Sequence, residues 1–157
     1  MKNRYSKKAF SMIELVFVII IIGILASVAI PRLSATRDDA QITKARVLVA
    51  SIRNALAMER QKRILRGEFK VIGEVGDSTN VFGNFYESDG TDTGHAVLEY
   101  PMASEPNKKD RWSFNGGKYT FKSMLGDVIF EVINGKFECD PTKTSNTNSK
   151  GCKQLTN

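Results

Sequence analysis

Histidine is nearly absent from the chain: His95 is the only one in 157 residues. Cysteine is scarce too, with only Cys139 and Cys152, both near the C-terminal end. There is no Gly-rich phosphate loop and no zinc-ligand spacing. His95 lies in a polar stretch, and nothing near it along the chain suggests a nucleophile–base–acid triad. These scarcities read as a non-enzyme. The basic excess is also smaller than it looks. The net charge is +6, from 23 Lys and Arg against 17 Asp and Glu, but Lys2, Arg4, Lys7 and Lys8 sit within the first nine positions. Taking those four from 23 leaves 19 against 17, so the remainder carries +2. That gives little ground for nucleic-acid binding. The length suits one modest domain.

Charge is missing altogether from Leu15 to Ile30, LVFVIIIIGILASVAI. Extended back to Phe10, the apolar run is interrupted only by Glu14. As a helix this run is about 30 Å long, enough to cross the hydrocarbon core of a bilayer. Four basic residues precede it and Arg32 follows closely, a bias that keeps the N-terminus in the cytoplasm. A secretory signal peptide, cut near Ser27-Val28-Ala29, is one reading of this segment. Its apolar run is longer than usual, and Pro31 stands just beyond the cut. An uncleaved signal anchor is another. Neither accounts for Glu14, because a carboxylate inside an apolar span is expensive and usually functional.

Lys7-Lys8-Ala9-Phe10-Ser11-Met12-Ile13-Glu14-Leu15 resembles the processing site of type IV prepilins and type II secretion pseudopilins. That family has a short basic leader, a small residue before the scissile bond, Phe after it, Glu fifth after it, and then an apolar helix. The usual small residue is Gly, and here it is Ala9. The resemblance is strong over residues 7–60 and architectural beyond. It implies cleavage between Ala9 and Phe10 by a prepilin peptidase, followed by N-methylation of Phe10. It also implies that Glu14 pairs with the Phe10 amine of a neighbouring subunit and so sets axial register. The bland alternative is a Glu14 that snorkels to the interface.

The domain organisation expected is a leader over 1–9, a transmembrane and filament-core helix over 10–30, an amphipathic helix over 31–66, and a periplasmic region over 67–157. Leu33, Ile42, Ala45, Leu48, Val49, Ile52, Leu56 and Met58 recur at intervals of three and four, with charged residues mostly off that stripe. Glu59 and Arg63 make a favourable i, i+4 pair. Lys62, Arg63 and Arg66 suit a helix C-terminus, with Gly67 just past it. Gly23 and Pro31 are candidate helix breaks, and the family resemblance implies a bend or melted stretch there. A gently kinked continuous helix is the other reading.

Val71-Ile72 and residues 96–100 are strand candidates, separated by a Gly-, Asn-, Asp-, Ser- and Thr-rich region that reads as loop. From Trp112 the signals are those of an antiparallel meander of three or four strands. Gly116-Gly117 and Asn134-Gly135 mark hairpins, and Leu125-Gly126-Asp127 turns the chain. The fold class expected is α+β and pilin-like, a long helix packed on a small antiparallel sheet. The polar tail from Asp140 reads as a surface loop, with Cys139 and Cys152 as one disulfide in an exported domain. Glu87, Asp89 and Asp92 on one loop are a candidate calcium site, since Ca²⁺ wants several oxygens on a bent loop; a plain solvated loop is the alternative. Trp112, Phe114, Tyr119 and Phe121 read as sheet core, with base stacking as the alternative.

The functional expectation is a structural subunit of an inner-membrane-anchored periplasmic filament, single-pass, serving type II protein secretion or DNA uptake in natural transformation. Its partners would be the peptidase, other copies, minor pseudopilins and an inner-membrane assembly platform. The alternatives are a DNA-binding minor pilin, with Lys108, Lys109 and Arg111 as footprint, and a secreted protein with a removed signal peptide.

Overall fold

The computed structural model describes residues 10–124, 126–139 and 149–156. The leader with Ala9, the turn residue Leu125 and most of the polar tail lie outside the described residues. Two compact units divide the chain at Asp39 and Ala40. One helix, α1 (Met12–Arg66), runs through both.

From Leu15 to Ile30 α1 carries apolar residues on every side. Phe17, Ile20, Leu25 and Ile30 are all more than half exposed. Of the two readings at Gly23 and Pro31, the structure has the continuous helix. Proline at 31 removes only the hydrogen bond to the Ser27 carbonyl, and the flanking turns keep theirs. Ser27 turns its hydroxyl onto the Ile24 carbonyl at 2.7 Å, and Thr36 bonds back to Leu33 at 3.0 Å. An apolar sequence in an apolar surrounding has no better place for its backbone groups than an unbroken helix.

In the second unit α1 becomes amphipathic. Ala45, Val49, Ile52 and Leu56 are buried, at the three- and four-residue spacing that puts them on one face. Leu33 in the first unit and Met58 in the second, both assigned to that stripe from the sequence, are exposed. The helix ends in a Schellman motif: Glu68 N–H bonds the Arg63 carbonyl at 2.9 Å, Gly67 N–H bonds Ile64 at 3.0 Å, and Gly67 has φ +76.

Among the described residues there are two four-stranded sheets rather than one. The first holds β1 (Ile72–Gly76), β2 (Asn80–Glu87), β3 (Asp92–Ala96) and β4 (Met102–Ala103), with β1, β3 and β4 each antiparallel to β2. This corrects the reading of that region as loop, and the candidate strand over 96–100 stops at Ala96. Its glycines serve close approach rather than turns. A Cβ on Gly73 would meet Ser88 Cα at 2.8 Å, and one on Gly76 would meet Phe82 N at 2.4 Å. The second sheet is the expected meander, β5 (Trp112–Asn115), β6 (Lys118–Ser123), β7 (Gly126–Ile133) and β8 (Lys136–Glu138), in sequential order. Asn134 and Gly135 both have positive φ, as a two-residue hairpin turn requires.

The sheets meet in an aromatic core. A register shift beside Gly76 puts Phe82 at φ +60, fully buried. Its ring stacks on Tyr119 at 5.5 Å and meets Trp112 and Phe137 edge-on. Tyr119 is buried too; its hydroxyl accepts a bond from Val75 N–H at 2.7 Å. Burial pushes the Tyr119 phenol well above its usual range. Trp112, Tyr119 and Phe121 are all core, and Phe114 is partly buried against it.

The tail carries a second correction. Its end is a short helix, α2 (Ser149–Thr156), with Gly151, Cys152 and Leu155 buried. The Cys139–Cys152 disulfide joins it to the end of β8, with Cα atoms 5.7 Å apart. Arg46 on α1 donates to the Gln154 carbonyl at 2.7 Å.

Gly76→Ala tests the bulge. It forces a Cβ onto the Phe82 backbone at φ +124, and should cost about 2–3 kcal/mol or more in urea unfolding. Gly90→Asn, at an open position with φ +85, should cost under about 1 kcal/mol.

Candidate functional site

The N-terminal candidate residues fall at the start of α1. Phe10 and Ser11 precede the helix, and Leu15 N–H bonds the Ser11 carbonyl at 3.2 Å. Ser11 is therefore the N-cap and Glu14 the third helical residue, in the S-x-x-E order of a capping box. Glu14 is the acidic residue of the first turn, where the positive end of the helix dipole favours a carboxylate. It lies one turn beyond Phe10. Both side chains are exposed, as are Leu15 through Ile24. Ala9, the other side of the expected scissile bond, lies outside the described residues.

Residues 4–30 match the family model described as the prokaryotic N-terminal methylation motif. The motif supports a member of the type IV pilin and pseudopilin family. No curated protein and no solved structure matches the chain. A pilin-like N-terminus of this kind implies processing by prepilin peptidase and assembly into pilus-like filaments. With its apolar helix, it fits anchoring in a membrane.

The second unit of this pilin-like chain contains a buried charge network around Glu59 and Arg63, a pair the sequence analysis named without its burial or its further partners. Glu59 and Arg63 have side chains only 4% exposed, and Arg63 Nε lies 3.3 Å from Glu59 Oε1. Arg63 also reaches Glu87 on β2 at 3.7 Å and donates to the Lys70 carbonyl at 3.4 Å. Arg66 approaches Glu59 at 3.5 Å, and a ring nitrogen of His95 lies 2.8 Å from the same oxygen. Burial works to raise the Glu59 carboxyl. The His95 and Arg63 contacts outweigh it, so its pKa lies below the ordinary value. The pattern held a signal, since Glu59 and Arg63 continue the buried stripe of Ile52 and Leu56 at +3 and +7 from Leu56. Charges on a buried face need partners. The basic cluster at 60–66 is thus partly internal.

The candidate calcium residues are engaged otherwise. Lys70 Nζ lies 2.7 Å from Glu87 and 3.3 Å from Asp89. Asp92 accepts from Asn84 at 3.0 Å and from Gly94 N–H at 2.9 Å. Among the described residues no three His, Cys, Asp or Glu side chains gather into a metal-holding group. Of the proposed DNA footprint, Lys108 and Arg111 both pair with Glu105, at 2.6 and 3.2 Å.

Two outcomes follow from this network. Arg63→Ala leaves two carboxylates without their buried partner and should cost about 3–5 kcal/mol in urea unfolding. Lys70→Ala, at a pair well exposed to solvent, should leave the urea midpoint nearly unchanged. The second outcome concerns pH. The Thr91 hydroxyl and amide, and then the Lys70 ammonium, hold the Asp89 carboxyl down to about 2 from an ordinary 3.8. A depressed carboxylate stabilises the fold above its ordinary pKa, and that contribution is lost as pH falls towards about 2. In Lys70→Ala, NMR titration should find the Asp89 pKa raised but still below 3.8, because Thr91 remains.

Proposed function

We propose that the chain is a structural, non-catalytic subunit of a membrane-anchored filament, either a pseudopilin or a pilin. One observation carries this reading. A prepilin-type motif coincides with an apolar helix that has no covering partner and a single carboxylate, Glu14, in its first turn. Uncovered apolar surface of that length must be covered by lipid before assembly and by neighbouring helices after it. Little hydrophobic free energy then changes on transfer, and Glu14 has most to gain.

In this reading prepilin peptidase cuts between Ala9 and Phe10, and the new Phe10 amine is methylated. The apolar helix spans the inner membrane once, and the rest of the chain lies in the periplasm. Assembly on an inner-membrane platform, with other copies and minor pseudopilins, brings the amine of one subunit to Glu14 of its neighbour. Close ion pairing in a medium of low dielectric constant is strong enough to set axial register. The filament serves protein secretion or DNA uptake. A tip that binds DNA directly is the weaker reading, since Lys108 and Arg111 are spent on Glu105.

Mass spectrometry of the protein from its own membrane tests the processing. The mature chain should begin at Phe10 and carry one methyl group on its amine. A chain beginning near Ile30 would mean a removed signal peptide and would sink the proposal. Ala9→Arg should leave nearly all of the protein as uncut precursor in the membrane fraction.

A further inference from the structure

Large exposed apolar side chains are few in the second unit, and four of them gather in one place. Ile64, Leu65, Phe69 and Val71 lie at the end of α1 and just beyond it, with Leu65 88% and Phe69 80% exposed. A groove of about 550 Å³ runs between α1 and β8, with Leu56, Ile64 and Phe137 among its walls. A smaller cavity of about 150 Å³ shares Arg60, Ile64 and Gly135 with it and continues to Phe69 and Val71. The larger groove carries three cations, Arg53, Arg60 and Lys136, against one carboxylate, Glu138. Arg53 is engaged, donating to the Phe137 carbonyl at 3.0 Å. Among the described residues Arg60 and Lys136 have no ion pair.

An apolar floor beside unspent cations fits an aromatic group next to a carboxylate. The same chain presents that combination elsewhere. After β3 the backbone bends through Val97–Tyr100, pinned by the buried Val97, whose N–H bonds the Gly83 carbonyl at 2.7 Å. Beyond that anchor Glu99 is exposed and has no ion pair among the described residues, and Tyr100 is 80% exposed.

We propose that the α1–β8 groove of one copy receives the Glu99–Tyr100 segment of a second copy. Glu99 meets Arg60 and Lys136, and Tyr100 lies on Ile64 and Phe69. Groove and segment are different surfaces of one chain, so the contact is heterologous, and a heterologous contact whose rotation does not close into a ring builds a filament. The proposal rests on the filament reading and gives the second unit its own lateral contact, separate from that of Glu14.

The test uses the full chain in the membrane of cells that process it. A photo-crosslinking benzoylphenylalanine replaces Phe69, and adducts are mapped by peptide mass. The expected result is an adduct of twice the subunit mass, joined within residues 97–101. Arg60→Glu and Glu99→Arg should each lower its yield roughly tenfold, and the double variant should restore it. Protease resistance of each variant reports folding, and if a single variant unfolds, the mapped adduct decides. If copies cross-link with formaldehyde but the Phe69 adduct is missing or maps elsewhere, the groove contact is wrong while the filament stands. Folded single variants without effect, or a double variant without rescue, likewise overturn it. If no reagent joins copies at all, the filament reading fails and this contact falls with it.

Discussion

One helix has to satisfy two surroundings. Along the first part of α1 no side of the helix is covered, and its backbone is satisfied only by itself. Along the second part a single face is buried, by Ala45, Val49, Ile52 and Leu56, and the other faces carry charge. The first part therefore cannot be a surface in water, and the second cannot be a span in lipid. Glu14 stands at the start of the part that excludes charge. Its place in the first turn gives it the favourable end of the helix dipole, and among the described residues it has no ion pair. A carboxylate so placed makes sense when its partner arrives from another molecule.

The globular unit closes on its helix in two ways. Aromatic rings contributed by both sheets fill the centre, with Phe82 driven inward by the register shift beside Gly76. Burial of each large side chain is worth about 1.5–3 kcal/mol, which makes this packing the main source of cohesion. At the end of α1 the cohesion is ionic instead. Arg63 bridges Glu59 of its own helix and Glu87 of β2, while His95 of β3 reaches Glu59. Such a network adds little net energy over an apolar equivalent, but it is demanding in geometry. It ties the first sheet to the last turns of the helix, and the disulfide and Arg46 tie α2 to the second sheet and to α1.

Much of this was legible in the residues, and for physical reasons. The apolar run, its basic flank and the position of Glu14 are compositional facts that no packing can alter. The meander from Trp112 was legible because its alternation has period two and its turns are Gly-Gly and Asn-Gly, which have few other uses. The first sheet was not. Its strands carry Gly73, Gly76 and Gly83, which mimic loop composition but exist so that backbones can touch. The helix at the end of the polar tail was equally hidden, since Ser149–Thr156 owes its place to Cys152 and Leu155 being buried rather than to a strong local preference. The ion pairs on the acidic loop were hidden as well, because a lysine distant in sequence, Lys70, returns to that loop beside the pairing of β1 with β2. Pro31 suggested a break that one lost hydrogen bond does not enforce.

The account places recognition between subunits in two separate regions, a charge at the head of the apolar helix and a groove on the globular unit. Of these, the charge is central to the proposal, because a carboxylate beside an otherwise uncharged span gains most from a partner of opposite charge. The most direct test is Glu14→Ala compared with the unaltered chain in cells, scored by cross-linked ladders of subunits and by the transport the filament serves. The account predicts that the variant is inserted, cut and folded as usual, yet forms no ladder and supports no transport. A variant that assembles and transports normally would contradict the charge-pairing mechanism, even in a chain that remains pilin-like.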